Sequence, residues 1–94
     1  MKKQHFVYML QCKDDTFYIG YTTDLKRRVE EHNTSVKGAK YTRGRRPVEL
    51  VYHVACESRS DAMKKEAQLK RLSRLQKEML VDRLDSALES EEDL

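Results

Sequence analysis

At 94 residues the chain is the size of one domain, large enough to fold alone and too small to divide into two. With 37% charged and 38% hydrophobic residues, its core must come from a limited set of Leu, Val, Ile, Tyr and Phe positions, which argues against a deep enclosed pocket. The formal charge of +3 understates a basic body, because residues 89–94 hold four acids and no base; without them 19 bases face 12 acids, a surplus suited to a polyanionic partner.

No apolar run approaches the ~20 residues that span a bilayer. Met1-Lys2-Lys3-Gln4-His5 leads into a strand-like segment rather than a signal-peptide core, so a cytoplasmic protein is expected. Cys12 and Cys56 close separate apolar segments without Cys-x-x-Cys spacing. They are expected to be reduced and structural, with neither a zinc site nor a disulfide framework.

In chain order, residues 5–12 and 16–21 are short β-rich runs separated by the turn residues Lys13-Asp14-Asp15, which predicts an antiparallel hairpin. Thr22, Thr23 and Asp24 offer caps for a helix reaching about Asn33, with Leu25 and Val29 spaced i, i+4. Residues 34–47 read as a loop. Val48 to Ala55 alternates as a third strand that can pair in either direction, with Val48, Leu50, Tyr52 and Val54 expected on one face. Ser58-Arg59-Ser60-Asp61 fits a capping box, and no Pro or Gly follows, so 59–88 is expected to be helical in one piece or two. Residues 89–94 form an acidic tail expected to be frayed. The order predicts a single α+β domain over 1–88: a three-stranded, mainly antiparallel sheet flanked by helices.

Four constellations on this frame carry chemistry. Tyr8 and Tyr18 sit in paired strands, and a suitable register puts both phenols on one face, although strand tyrosines commonly serve as half-buried core. At ~100° per residue, Arg28 and His32 fall within about 60° of Leu25 while Arg27 falls about 200° away, so Arg28 lies beside the core-facing stripe and Arg27 faces solvent. Such an arginine either snorkels into a salt bridge or binds an anion. Glu66 falls about 40° from Ala62, inside an apolar stripe where a carboxylate needs an arginine, a hydroxyl or a cation as partner. Arg28 and a metal ion are both open to it, and a lone carboxylate suits Mg²⁺, which keeps several waters. Finally, residues 37–46 hold five bases and no acid, with Tyr41 interleaved. Lys37, Lys40, Arg43, Arg45 and Arg46 can follow a phosphate backbone while Tyr41 stacks on a base or sugar.

Val7-Tyr8-Met9, Tyr18-Ile19-Gly20, Arg28, His32 and Glu66, in this order and at these gaps, resemble the GIY-YIG nuclease domain. Lys40-Tyr41-Thr42-Arg43 followed by Pro47 is similar to its small stand-alone bacterial YhbQ-like group. Val7 and Met9 replace the Gly and Ile of the family name, and the Asn that larger members often place late in the domain has no counterpart in Gln76–Leu88. The resemblance implies a nuclease acting on nucleic acid, DNA rather than RNA, in repair or recombination, with one Mg²⁺ or Mn²⁺ ion. It implies Glu66 as metal ligand, Arg28 as clamp on the scissile phosphate, Tyr8 or Tyr18 as the group that orients or deprotonates water, and His32 as support. A protein partner is an expected source of specificity. Two other readings use the same surface: a non-catalytic DNA- or RNA-binding module, and a basic face that docks a protein.

Overall fold

The computed structural model describes residues 4–82. The end of the last predicted helix and the acidic tail lie outside them. Strand β1 (His5–Cys12) and strand β2 (Phe17–Thr22) form the expected hairpin, with Tyr8 opposite Gly20 and Leu10 opposite Tyr18. Asp14 builds the turn by accepting from the Thr16 hydroxyl at 2.6 Å, and Asp15 takes φ 66°, a left-handed conformation that Asp tolerates better than most side chains. Strand β3 (Val48–Cys56) pairs antiparallel with the other edge of β1, giving the order β2-β1-β3. As the central strand, β1 buries Val7, Tyr8, Met9 and Leu10 in succession, which accounts for its lack of alternation.

Helix α1 (Leu25–Thr34) covers one face of the sheet, where Leu25 and Val29 meet Tyr8, Leu10, Cys12, Val48 and Leu50. Helix α3 (Arg59–Lys70) covers the other, with Ala62 and Leu69 against Val7, Met9 and Ile19. Between them in the chain comes a single-turn helix α2 (Lys40–Arg43), in the segment that reads as loop in the sequence. Asp24 caps α1 by accepting from the Arg27 amide, and Ser58 caps α3 by accepting from the Asp61 amide. Cys12 and Cys56 are free thiols.

One expectation is corrected, and one left open between two forms is decided. Val48, Leu50, Tyr52 and Val54 do not share a face: the register shifts between Met9 and Leu10, which pair with Tyr52 and Leu50 and skip Val51. This β-bulge flips the strand, so Val48 and Leu50 pack on the α1 side while Val51, Tyr52 and Val54 pack on the α3 side. The C-terminal helix is in two pieces. It breaks after Lys70 and resumes over residues 74–82 as α4, because Ser73 and Gln76 form a reciprocal capping box: the Ser73 amide donates to Gln76 Oε1 at 2.9 Å and the Gln76 amide to Ser73 Oγ at 3.2 Å.

Candidate active site

The hairpin register places Tyr8 and Tyr18 diagonally on the α1 face, with ring centroids 6.4 Å apart. Tyr8 lies across Gly20 so closely that a β-carbon there would stand 2.5 Å from the Tyr8 hydroxyl and 3.1 Å from the Tyr18 ring. This explains the glycine of Tyr18-Ile19-Gly20: it is the floor under a phenol. Gly20→Ala is therefore expected to cost about 2 kcal/mol, a fall in Tm on the order of 10 °C. Gly44→Ala, where nothing lies within 4 Å, should melt like the parent in the same thermal scan.

His32, on the face of α1 that the helical period predicts, is fully buried and bonded at both ring nitrogens. Its Nε2 lies 2.7 Å from the Tyr8 hydroxyl and its Nδ1 2.8 Å from the hydroxyl of Thr42, also fully buried. Its ring centroid is 5.2 Å from that of Tyr18. Burial lowers the His32 pKa to about 4, with Arg28 and Arg46 pushing the same way against Glu31. Burial raises Tyr8 to about 12, overriding the pull of the Arg28 guanidinium beside it, while Tyr18 and Glu66 add to the rise. The resting proton thus stays on Tyr8 and the imidazole is neutral. Tyr18 differs: it is half-buried, and its hydroxyl makes no hydrogen bond among the described residues.

Arg28 is partly buried and Arg27 exposed, in line with the helical wheel. Arg28 Nη1 donates to Glu31 Oε1 at 3.2 Å and to the Lys37 carbonyl at 2.8 Å. Burial works against its charge, but the Tyr8 hydroxyl and Glu31 outweigh it and hold the guanidinium firmly protonated. Four of the expected residues, Tyr8, Tyr18, Arg28 and His32, therefore converge from two strands and one helix.

Glu66 is not hydrogen-bonded to that cluster. Its carboxylate, half-buried on α3, takes the ammonium of Lys70 at 3.1 Å, an i, i+4 pair, and not Arg28. Lys70 is 57% exposed, so the pair is a weak lock. The charge of Glu66 is the smallest of the influences that act on the Tyr8 phenol. No group of three or more His, Cys, Asp or Glu side chains that could hold a metal ion occurs among the described residues. A single carboxylate with one displaceable partner fits an ion that keeps most of its own water, as Mg²⁺ does, and does not fit zinc.

The basic segment divides into two kinds of residue. Arg46 is not an available cation: its Nε donates to the His32 carbonyl at 2.6 Å and its Nη2 to the Ser35 carbonyl at 2.5 Å, closing the C-terminus of α1. Arg45 is held by Asp14 at 3.0 Å and the Tyr41 carbonyl at 2.8 Å, with its guanidinium 3.9 Å over the Tyr41 ring. Tyr41, 38% exposed, also stacks on Tyr18, at 6.0 Å, so its ring already has partners on this surface. Lys37, Lys40 and Arg43 are exposed and make no salt bridge among the described residues. Neutralising these three should flatten log affinity against log salt by roughly 0.9 for each duplex phosphate they neutralise. Arg45→Gln should leave the slope unchanged when anisotropy is followed from low to moderate salt.

Sequence reasoning missed Thr42 and Glu31. Thr42 lies within the Lys40-Tyr41-Thr42-Arg43 motif, but no periodicity relates it to a helix ten residues earlier. Glu31 stands at i, i+3 from Arg28, a spacing that could have identified it.

The hairpin thus carries two same-face tyrosines over a glycine, α1 adds an arginine and a histidine one helical turn apart, and α3 carries a carboxylate on the other side of the sheet. Residues 4–79 match the GIY-YIG catalytic domain, and the chain belongs to that family of nuclease domains. Within it the chain is similar to UPF0213 proteins. It is 55% identical to one from Desulfotalea psychrophila over 81% of this chain and 69% of that one, and 54% identical to one from Natronomonas pharaonis over 86% and 94%. Two solution NMR structures share the fold. A UPF0213 protein from Bacillus halodurans is 53% identical with a TM-score of 0.54, covering 84% of this chain and 83% of that one. A protein from E. faecalis is 49% identical with a TM-score of 0.60, covering 89% and 88%. No helix among the described residues is long and apolar enough to cross a membrane.

Proposed function

We propose that the protein is a metal-dependent endonuclease that hydrolyses phosphodiester bonds of nucleic acid, DNA being the expected substrate. The convergence of Tyr8, Tyr18, Arg28 and His32 on one face carries this reading. Arg28, whose charge is held by Glu31 and Tyr8, binds the scissile phosphate and stabilises the negative charge that builds on its oxygens. Tyr18 is the tyrosine that meets solvent, so its hydroxyl orients the attacking water; Tyr8, 1% exposed, supports the site from behind. His32 stays neutral and anchors Tyr8. Glu66 would hold one Mg²⁺ or Mn²⁺ ion, which when bound supplies Lewis-acid stabilisation of the phosphoryl group. Lys37, Lys40 and Arg43 draw the phosphate backbone to this face.

The test is cleavage of nicked, branched and single-stranded DNA and of RNA by the purified protein, with Mg²⁺ or with EDTA. Cleavage is expected with Mg²⁺ and not with EDTA. Glu66→Gln should lose it while melting within a few degrees of the parent, because only an i, i+4 pair to a largely exposed lysine is removed. Salt-dependent binding without cleavage on every substrate would replace the nuclease with a nucleic-acid-binding module of the same fold. A large fall in Tm for Glu66→Gln would make that carboxylate structural.

A further inference from the structure

Thr42 is buried at 0% exposure, beside the site and outside every role assigned above. Its hydroxyl has one proton, and a carbonyl lies in reach: Thr42 Oγ1 donates to the Ala39 carbonyl at 2.9 Å, the back-bond that threonine commonly makes within a helical turn. With that proton spent, the oxygen can only accept from His32 Nδ1 at 2.8 Å. The Ala39 amide donates toward the same nitrogen at 3.4 Å and favours the other tautomer, but at that length it is the weaker of the two bonds. His32 then carries its proton on Nδ1, leaving the Nε2 lone pair for the Tyr8 hydroxyl at 2.7 Å. Tyr8 then donates its hydrogen bond to His32 and keeps its oxygen lone pairs free, under the positive charge of Arg28 that acts on the phenol.

We infer that Thr42 is a positioning residue that fixes the His32 tautomer and, through Tyr8, presents an acceptor to Arg28. The donors then run one way, from Tyr8 through His32 and Thr42 to the Ala39 carbonyl, leaving the Tyr8 lone pairs to the Arg28 charge. In the opposite tautomer Nε2–H points at the Tyr8 oxygen, and the Tyr8 proton is turned toward a cation that has only protons to offer. The electrostatic support that Tyr8 gives the Arg28 charge is then reversed, although the bonds of Arg28 to Glu31 and to the Lys37 carbonyl remain. The functional half of this inference rests on the proposed clamp role of Arg28; the tautomer does not.

Two-bond ¹⁵N correlation NMR of the intact protein near neutral pH reads the tautomer directly. The expected spectrum has a protonated Nδ1 and a lone-pair Nε2 at His32. Thr42→Val, similar in shape but without the hydroxyl, should shift His32 toward the Nε2–H form, and Thr42→Ser should restore the parent pattern. In the cleavage assay Thr42→Val should fall by roughly 10- to 100-fold, as loss of supporting hydrogen bonds typically does, and Thr42→Ser should recover most of it. A parent spectrum with the proton on Nε2 overturns the inference whether or not Thr42→Val folds. A correct tautomer in a protein that cleaves nothing would leave the inference standing and remove the nuclease reading instead. Equal cleavage by the Val variant and the parent would reject the link to Arg28.

Discussion

Arg28→Ala is expected to lower cleavage by ~10²-fold or more, the usual cost of removing one fixed positive group from developing transition-state charge. Arg27→Ala, one residue away on the same helix, should change the rate little. The contrast follows from the helical turn between them: Arg28 lies against Tyr8 and Glu31, whereas Arg27 is exposed. Arg28→Lys keeps the charge but loses the planar fork, so it should recover only part of the rate. All three proteins should melt within several degrees of the parent, because the bonds removed are a part-buried pair to Glu31 and an exposed bond to the Lys37 carbonyl. Single-turnover rates on the preferred substrate make the comparison. Equal losses for Ala at positions 27 and 28 would show that the effect is general charge and not a clamp.

The second large effect is on stability against pH. His32 is fully buried with a pKa lowered to about 4, against about 6.5 for an unfolded histidine. Because the folded value is the lower one, the unfolded chain takes up the proton first as pH falls. Stability from this residue is fully present above about pH 6.5 and drains away down to about pH 4, by about 3 kcal/mol in all. Urea denaturation of the parent and of His32→Gln at pH 7.5 and 4 isolates the contribution, since every other group titrates alike in both. The parent should lose about 3 kcal/mol more than the variant. Parallel losses would mean that the imidazole is hydrated and ordinary.

What the sequence reveals follows the range of each interaction. The hairpin and the shared face of Tyr8 and Tyr18 are legible because a period of two and a short turn leave little choice. Arg28 is separable from Arg27 because ~100° per residue places them apart on any helix. Glu66 is half-buried on α3, where the same period puts it beside Ala62, yet its partner is Lys70, one turn on, and not Arg28. The faces of β3 escape a sequence reading because a bulge opposite Met9 and Leu10 leaves no trace in hydropathy. The helix break at Ser73 does leave one, in Ser73-Arg74-Leu75-Gln76, but a capping pattern inside a stretch without Pro or Gly is easily read as continuous helix. In the basic segment composition misleads: five like charges suggest one purpose, whereas Arg46 spends its guanidinium on α1 carbonyls and Arg45 on Asp14. Such assignments join residues 11 to 31 positions apart and depend on the finished fold.

The strand order also governs how the molecule must assemble. Every residue of the tyrosine, arginine and histidine cluster is encoded within about the first third of the chain, yet Tyr8 sits on a strand whose second edge is closed by residues as distant as Cys56, paired with His5. The hairpin and α1 form from local contacts, but no early fragment can bury β1 on both edges. Folding is therefore paced by one long loop closure, which costs entropy before any sheet hydrogen bond repays it. A nascent chain ending short of β3 holds all four of these side chains and no site.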